Sequence, residues 1–381
     1  MASNNHQSTT SNEHSNNWLS QWPSNLSLAN CERCDWIFLL PSDAPSRCPH
    51  CGQPELVRLD AETDKPVYTQ PPELVVPFSV DLARVKQSVT QFAKGIGFAP
   101  ADMTAKRLNG RLQKLYLPLW LVDTAVNARW EAEMGFNYEV ISHREQYKDD
   151  KWVTTEYKGS KIRWESRIGT LNRQYDNVRA PALEEQQAIE QHLGPMVERE
   201  ERPYQPDALA DAFICLPNRP PEDAWEDVQL TIRKIATKEC QRAGKAAHQR
   251  NFRWSADYHN KHWTQLLYPI YVTHYLDDDD NANMIFIHGQ TGKLIGKRRA
   301  SPKKAKKISV GFGIVTAVSF AISLLLFLGG IWMPTLSPIG ATLLNIAFWL
   351  GTLAFVPLVA VWLIDRFYSS ENQAVEDSLL L

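Results

Sequence analysis

Two long apolar runs near the C-terminal end constrain this chain more than any other feature. Ile308–Trp332 and Ala341–Ile364 contain no Asp, Glu, Lys or Arg, and at ~1.5 Å per residue each is long enough to cross a hydrocarbon core of ~30 Å as a helix. Only Met333–Gly340 separates them, so spanning helices over 308–332 and 341–364 would be antiparallel neighbours with both flanking segments on one side of a membrane. A helical hairpin buried in a globular core is the competing arrangement, and runs this long beside a basic flank fit it poorly. Lys297, Arg298, Arg299, Lys303, Lys304, Lys306 and Lys307 precede the first run, Arg366 follows the second, and the connecting loop is uncharged. Excess Lys and Arg mark the cytoplasmic side. The expectation is therefore a two-span protein of the inner membrane, with a basic juxtamembrane collar over 299–307, a tail over 365–381 and both termini in the cytoplasm. The same cations could also meet anionic headgroups.

The rest of the chain is polar, which brings the mean hydropathy of all 381 residues to -0.35 despite the two runs. A formal net charge of -2 gives no global basic character of the kind nucleic-acid binders carry. No apolar stretch opens the chain, so no cleaved signal peptide is expected.

Of the six cysteines, four form the strongest chemical signal. Cys31-x-x-Cys34 and Cys48-x-x-Cys51 are two matched pairs separated by thirteen residues, and each pair can turn two thiolates toward one tetrahedral ion. In a reducing cytoplasm such clusters are better read as metal ligands than as disulfides. Trp36–Leu40 supplies one strand between them, which predicts a zinc ribbon over 28–58. Four thiolates leave no position for a substrate water, so the Zn2+ would be structural, and a ribbon this small would take its folding energy from the metal. His50 lies inside the second knuckle as a bystander. A redox dithiol is the alternative, and it has no need of two matched pairs. Cys215 and Cys240 read as core residues.

Around this ribbon the chain divides by composition. Residues 1–27 are rich in Ser, Asn, Thr and Gln and predict a disordered tail, with Trp18 and Trp22 as exceptions suited to packing on the ribbon. Four prolines in 60–77 fit a semi-extended linker over 59–77. Over 78–298 the pattern is α+β. Ser79 can cap a helix over Val80–Lys94, and strands follow at Lys114–Val122, Ala125–Glu133, Phe136–Tyr147 and Trp152–Ile168. Helices over Leu183–Leu193 and Ala224–Ala243 come next, then strands at Phe252–Tyr258, His262–Leu276, Asn283–His288 and Lys293–Lys297. Tyr116–Val122 and Leu267–Thr273 echo one another, each with a central proline. The echo leaves two readings open: two related helix-plus-sheet units over about 78–180 and 220–298, or chance recurrence of a strand pattern. Pro118 and Pro269 cannot donate to a ladder and are expected at edges or bulges.

Other patches have plainer readings. Gly289-Gln-Thr-Gly-Lys293 lacks the spacing of a phosphate loop and reads as a β-turn. Asp277–Asp280 lacks the alternation of a calcium loop and reads as a solvated turn. His259, His262 and His274 lie in aromatic strands as structural residues. Trp120, Trp130, Trp152, Trp164, Trp254 and Trp263 read as sheet-packing residues, a binding groove being the alternative. No catalytic motif is present, so the chain does not read as an enzyme and no catalytic residue is assigned.

The Cys31–Gly52 pattern, Val76-Pro-Phe78 opening a helix, Tyr116-Leu-Pro-Leu-Trp120 ending in Asp123, and Leu267-Tyr-Pro269 with Gly289–Lys293 before the apolar runs together resemble a family. It is a group of bacterial membrane proteins labelled "primosomal protein N′ (replication factor Y)-like" or "TFIIB-type zinc ribbon-containing". The resemblance covers about 28–300 and the apolar hairpin. It implies association with phage-shock-protein-A-like and flotillin-like partners in envelope-stress systems. No Walker lysine loop is present, so the helicase-like label rests on the ribbon. The expected function is a membrane-tethered scaffold for cytoplasmic proteins. The rival is a nucleic-acid binder using the ribbon, whose nearby cations are only Arg33, Arg47 and Arg58.

Overall fold

The computed structural model describes residues 18–184, 186–194, 200–329, 331 and 336–379. Eleven strands form one sheet: β1 (Leu26–Asn30), β2 (Ile37–Pro41), β3 (Val57–Arg58), β4 (Leu74–Val75), β5 (Gln113–Lys148), β6 (Lys151–Pro181), β7 (Arg202–Pro203), β8 (Phe213–Cys215), β9 (His248–Leu276), β10 (Ala282–His288) and β11 (Leu294–Gly296). The helices are α1 (Leu82–Lys94), α2 (Ala105–Gly110), α3 (Gln186–Leu193), α4 (Pro221–Ala243), α5 (Pro302–Gly329), α6 (Leu336–Leu353) and α7 (Val356–Leu379). The strand order is β11-β10-β9-β5-β8-β2-β1-β3, with β6 added to β5, and β4 lying between β9 and β7. The architecture is mixed α/β, with a large sheet and apolar C-terminal helices.

The two central strands, β5 and β9, are antiparallel and pair across Leu117 and Tyr268. Around that pair the neighbours repeat in reverse. β8 runs parallel to β5 at Leu115 and Tyr116, and β4 runs parallel to β9 at Leu266 and Leu267. β6 then takes over beside β5 from Leu119, and β10 beside β9 from Ile270. The helices begin at the same interval after the last residue that each short strand pairs to its central strand, from Val75 to Leu82 and from Ile214 to Pro221. Even the turns agree: Ser79 and Val80 donate backbone N–H bonds to Gly289 O, while Asn218 and Arg219 donate theirs to Ala182 O. A local two-fold therefore relates the β4-α1-β5-β6 segment to β8-α4-β9-β10.

Pro118 and Pro269 lie in these central strands rather than at edges or ordinary bulges. Each occupies the handover between two successive neighbours, where no ladder donor is required. Their carbonyls are used: Gln186 Nε2 donates to Pro118 O at 2.8 Å, and Gly289 N to Pro269 O at 3.0 Å.

α1 and α4 cover one face. α1 is capped by Asp81, not Ser79, whose carboxylate accepts from Ala83 N at 3.2 Å. Its Val85, Val89 and Phe92 pack on Tyr271, Tyr275 and Ile285, each such burial being worth ~1.5–3 kcal/mol. α4 packs Val228, Ile232 and Ala236 against Val126, Tyr175 and Trp120. The opposite face, with Leu117, Tyr268 and Phe286, is covered by α3 and the cysteine-bearing hairpin.

Several sequence expectations change. Residues 1–17 of the expected disordered tail lie outside the described residues, but Trp18–Gln21 form a 3-10 turn and β1 begins at Leu26. Trp18 and Trp22 are buried, donating to Ala61 O at 3.0 Å and Thr69 O at 3.2 Å. Those acceptors belong to the expected linker 59–77, which is therefore stitched to the body and contributes β4. The hairpin over 28–58 is likewise no separate unit, because β2 pairs with β8 through Phe38–Cys215 and Leu39–Ile214. Three expected strands over 114–147 are one strand, and those over 252–276 are another.

Two segments, Pro302–Gly329 and Pro338–Ser369, are long and apolar enough to cross a membrane. The first takes in much of the basic collar. The second is not one clean helix over 341–364: it breaks at Ala354–Phe355, just before Pro357, whose ring and missing N–H interrupt the ladder. α7 continues to Leu379, so the expected tail over 365–381 is helical over most of its length. Asn372 is bonded to the backbone of Arg298 in both directions at 2.7 Å, and Arg298 lies over the rings of Phe92 and Tyr368.

Asp277–Asp280 is more than a solvated turn. The Asp278 carboxylate accepts from Ser301 Oγ at 2.7 Å and from Lys303 N at 2.8 Å, while Ser301 Oγ accepts from Lys304 N at 3.0 Å. Lys303 Nζ reaches Asp279 at 3.0 Å. The acidic turn thus caps the first apolar helix and meets the charge of its collar.

Candidate metal centre

Each cysteine pair sits on a knuckle built the same way. Asp35 N donates to Cys31 O at 2.8 Å and Cys31 N to Trp36 O at 3.0 Å; in the second, Gly52 N donates to Cys48 O at 3.1 Å and Cys48 N to Gln53 O at 2.9 Å. The residue after each second cysteine is left-handed, Asp35 at φ 55 and Gly52 at φ 75, a conformation tolerated by Asp and Gly above other residues. The tight turns aim both sulfurs of a pair the same way. β1 and β2, antiparallel from Leu26–Pro41 to Asn30–Ile37, hold the first knuckle at their closed end.

The four Sγ atoms lie within 4.8 Å of one another, with Cys31–Cys51 at 3.5 Å and Cys34–Cys48 at 3.8 Å. Four sulfurs at ~2.3 Å from one tetrahedral ion lie ~3.8 Å apart, so the cluster fits such an ion. Among the described residues this is the one His/Cys/Asp/Glu group with metal-site geometry. S–H bonds from neighbours pull Cys51 down to about 2 and Cys31 down to about 7, chiefly from Cys34 and Cys48 respectively. Cys48 is pushed up by its hydrogen bonds with Cys31, Cys34 and Cys51. Cys31, Cys48 and Cys51 are buried and Cys34 is half-buried.

His50 lies outside this group of four. Its ring stacks on Trp36, with centroids 3.7 Å apart and planes 5° apart, and burial lowers its pKa to about 4. This stack was not legible from spacing, although an aromatic following one knuckle and an imidazole inside the other are its only sequence trace. The second knuckle also abuts β10: a Cβ on Gly52 would lie 2.5 Å from Ala282 Cβ and 3.1 Å from Met284 Sδ. Of the hairpin's cations, Arg47 donates to Gly52 O at 2.6 Å and Arg58 to Ser27.

The other sequence candidates are dispersed. Cys215 and Cys240 are buried core residues. Gly289–Lys293 is the turn joining β10 to β11, with Gly292 at φ 73 and His288 Nδ1 accepting from Gln290 N at 3.1 Å. His259 and His262 are exposed on β9, whereas His274 is half-buried and pushed down to about 4 by desolvation, with Arg111 adding to it. Trp120 is buried and donates to Arg219 O at 2.9 Å, and Trp263 packs edge-on against it and against Trp225. Trp130 and Trp254 border Phe252. Trp152 differs from the rest: it is 70% exposed near the β5–β6 turn.

No family model matches the chain, and neither a curated protein nor a solved structure matches it.

Proposed function

We propose that the chain is a membrane-anchored zinc-ribbon adaptor that holds cytoplasmic protein partners at the inner membrane, with both termini in the cytoplasm. The supporting observation is continuity: the cysteine cluster shares a core with Leu117, Tyr268 and Phe286, and β10 of that core leads to the turn capping α5. A partner held by the ribbon would be held at a fixed position relative to the apolar helices. Zn2+ is the ion favoured by an all-thiolate tetrahedral set in a protein with no redox partner in view. It would be structural, since all four positions are taken by cysteine. The basic collar on one flank supports the orientation. The family resemblance of the cysteine and proline motifs suggests phage-shock-protein-A-like or flotillin-like proteins as partners in an envelope-stress response.

The test is affinity capture of the full chain from detergent extracts, comparing the native ribbon with Cys48→Ser. A protein partner lost with the metal is expected. Identical partner sets from both would overturn the adaptor reading. An exposed substitution on the ribbon, Glu32→Arg, that retains zinc but alters capture separates a docking surface from a folding defect.

A further inference from the structure

β9 pairs with β5 only as far as Gly135 and His248. Beyond them β5 and β6 continue alone, pair by pair, to Lys148 and Lys151. At ~3.3 Å per residue this bare ribbon extends ~40 Å past the three-stranded sheet. Its turn, Asp149-Asp150, has φ values of 51 and 56, the left-handed pair that matches strand twist.

Opposed residues on paired strands share a face, and successive residues alternate faces. The register therefore sorts the ribbon's side chains in a way its sequence conceals. One face carries Tyr138, Arg144 and Lys148 of β5 and Lys151, Tyr157 and Lys161 of β6. No Asp or Glu of either strand lies on that face between Lys161 and the turn. The other face holds Glu139, Glu145 and Glu156 beside Lys158. Basic and acidic residues nearly balance along 136–164, so the near-neutral sequence forms a ribbon with one cationic side.

The cations on that side are uncommitted. Among the described residues no ion pair engages Arg144, Lys148, Lys151 or Lys161, and all four are exposed. Arg163, nearer the base, is tied to Glu165 at 3.0 Å. Tyr138 and Tyr157 are 47% and 64% exposed among these cations. Gly159 leaves room beside the Tyr157 ring, where a Cβ would lie 3.4 Å from it. Toward the sheet body the same face meets the C-terminal end of α4, through Ala132 and Met134 against Cys240. There Lys238, Arg242 and Lys245 are exposed, and Glu239 is bound to Arg173 and Tyr175.

We propose that this face of the β5–β6 ribbon binds single-stranded nucleic acid, its cations meeting the phosphates and Tyr138 and Tyr157 stacking on bases. Arg144 and Lys148 stand four residues apart along β5, ~13 Å, and Lys151 and Lys161 ten apart along β6, ~33 Å, so the cations are spread along the length an extended polyanion would follow. Exposed rings interleaved with them are the second half of a single-strand platform, because every base offers a face on which to stack. A bilayer is the less suitable partner because β5 runs away from its Gln113 end, which pairs beside the turn that caps α5. The surface is separate from the cysteine cluster, so the two can be tested apart.

The experiment uses the full chain in zwitterionic nanodiscs and a fluorescent homopyrimidine oligonucleotide, followed by anisotropy across a salt series. Four engaged cations give a slope of log K against log salt of ~-3. Lys148→Gln with Lys151→Gln should halve that slope, and Tyr157→Ala should weaken binding about tenfold without changing it. Lys158→Gln, on the opposite face, should change neither. All these side chains are exposed, so the variants keep the fold. Absence of binding by the intact chain overturns the proposal. So does equal binding of a duplex that ignores Tyr157→Ala, or equal binding of polyglutamate or anionic vesicles with the same sensitivity to Lys148→Gln and Lys151→Gln.

Discussion

Gly52→Ala tests how firmly the cysteine hairpin is seated on the sheet. Two costs arise at one atom. A Cβ at φ 75 stands in the left-handed region, which costs ~1–2 kcal/mol for a side-chain-bearing residue. The same Cβ would sit 2.5 Å from Ala282 Cβ and 3.1 Å from Met284 Sδ, and relieving such overlap in a packed core costs ~1–3 kcal/mol. The sum, ~2–5 kcal/mol, is a large share of the ~5–15 kcal/mol that stabilises an ordinary domain. Because the strained residue follows Cys51 directly, the second knuckle yields first. At 1.4 kcal/mol per tenfold, even ~2 kcal/mol weakens metal binding ~30-fold. The assay is competition for zinc between the detergent-solubilised full chain and a fluorescent chelator. Ala282→Gly in the variant background removes the partner atom and should recover the steric part, leaving the backbone part. Ala282→Gly alone costs only ~0.5–1 kcal/mol. Unchanged zinc affinity in Gly52→Ala, or no recovery in the double variant, would show that the knuckle does not rest on β10.

Two further outcomes follow from the electrostatics. Asp278→Ala removes the acceptor for Ser301 Oγ and Lys303 N, worth ~1–2 kcal/mol as a cap; hydrogen exchange should rise over 302–306 and stay unchanged in β1 and β2. Asp102 would be raised by burial, but bonds from Arg111, Leu276 N and Arg107 outweigh that and hold it down to about 2 from 3.8. A depressed carboxylate contributes stability above its unfolded value and loses it as pH falls through the folded one. Between about pH 4 and 2 the native chain should therefore lose stability more steeply than Asp102→Asn, measured by denaturant melts; parallel curves would contradict it.

What could be read from the sequence was whatever is local. The cysteine spacing revealed the metal cluster because each knuckle is closed by its own backbone bonds, and the apolar runs revealed themselves by length. Strand boundaries failed because Gly135 and Asp123 look like turn residues and act otherwise. Gly135 sits where a Cβ would strike Ile162, His248 and Trp164, and Asp123 sits at a bulge where its carboxylate accepts from Asn177 N at 2.7 Å. Both interrupt the alternation without ending the strand. The separation of charge on the β5–β6 ribbon was hidden for a related reason: it depends on register, which strand composition does not specify. Asp277–Asp280 misled because its partner, Ser301, lies beyond two further strands.

Sheet order alone sets the cysteine hairpin and the apolar helices far apart, since β3 and β11 close opposite ends of the row. Packing brings them together. The hairpin folds back over the sheet face so that Cys51 and Gly52 rest on Ala282 and Met284 of β10. β10 follows the Asp277–Asp280 turn, and that turn caps α5. Only a handful of residues therefore separate the second knuckle from the first apolar helix, and every link is a packed or hydrogen-bonded contact rather than a flexible linker. A local two-fold by itself would give β6 and β10 equivalent surroundings. The chain breaks that equivalence at β10, which meets the cysteine knuckle, while β6 and β5 extend into the bare ribbon at the other end of the sheet. The helix-attached end is thus the one packed on several elements, and the far part of the ribbon is paired only with itself.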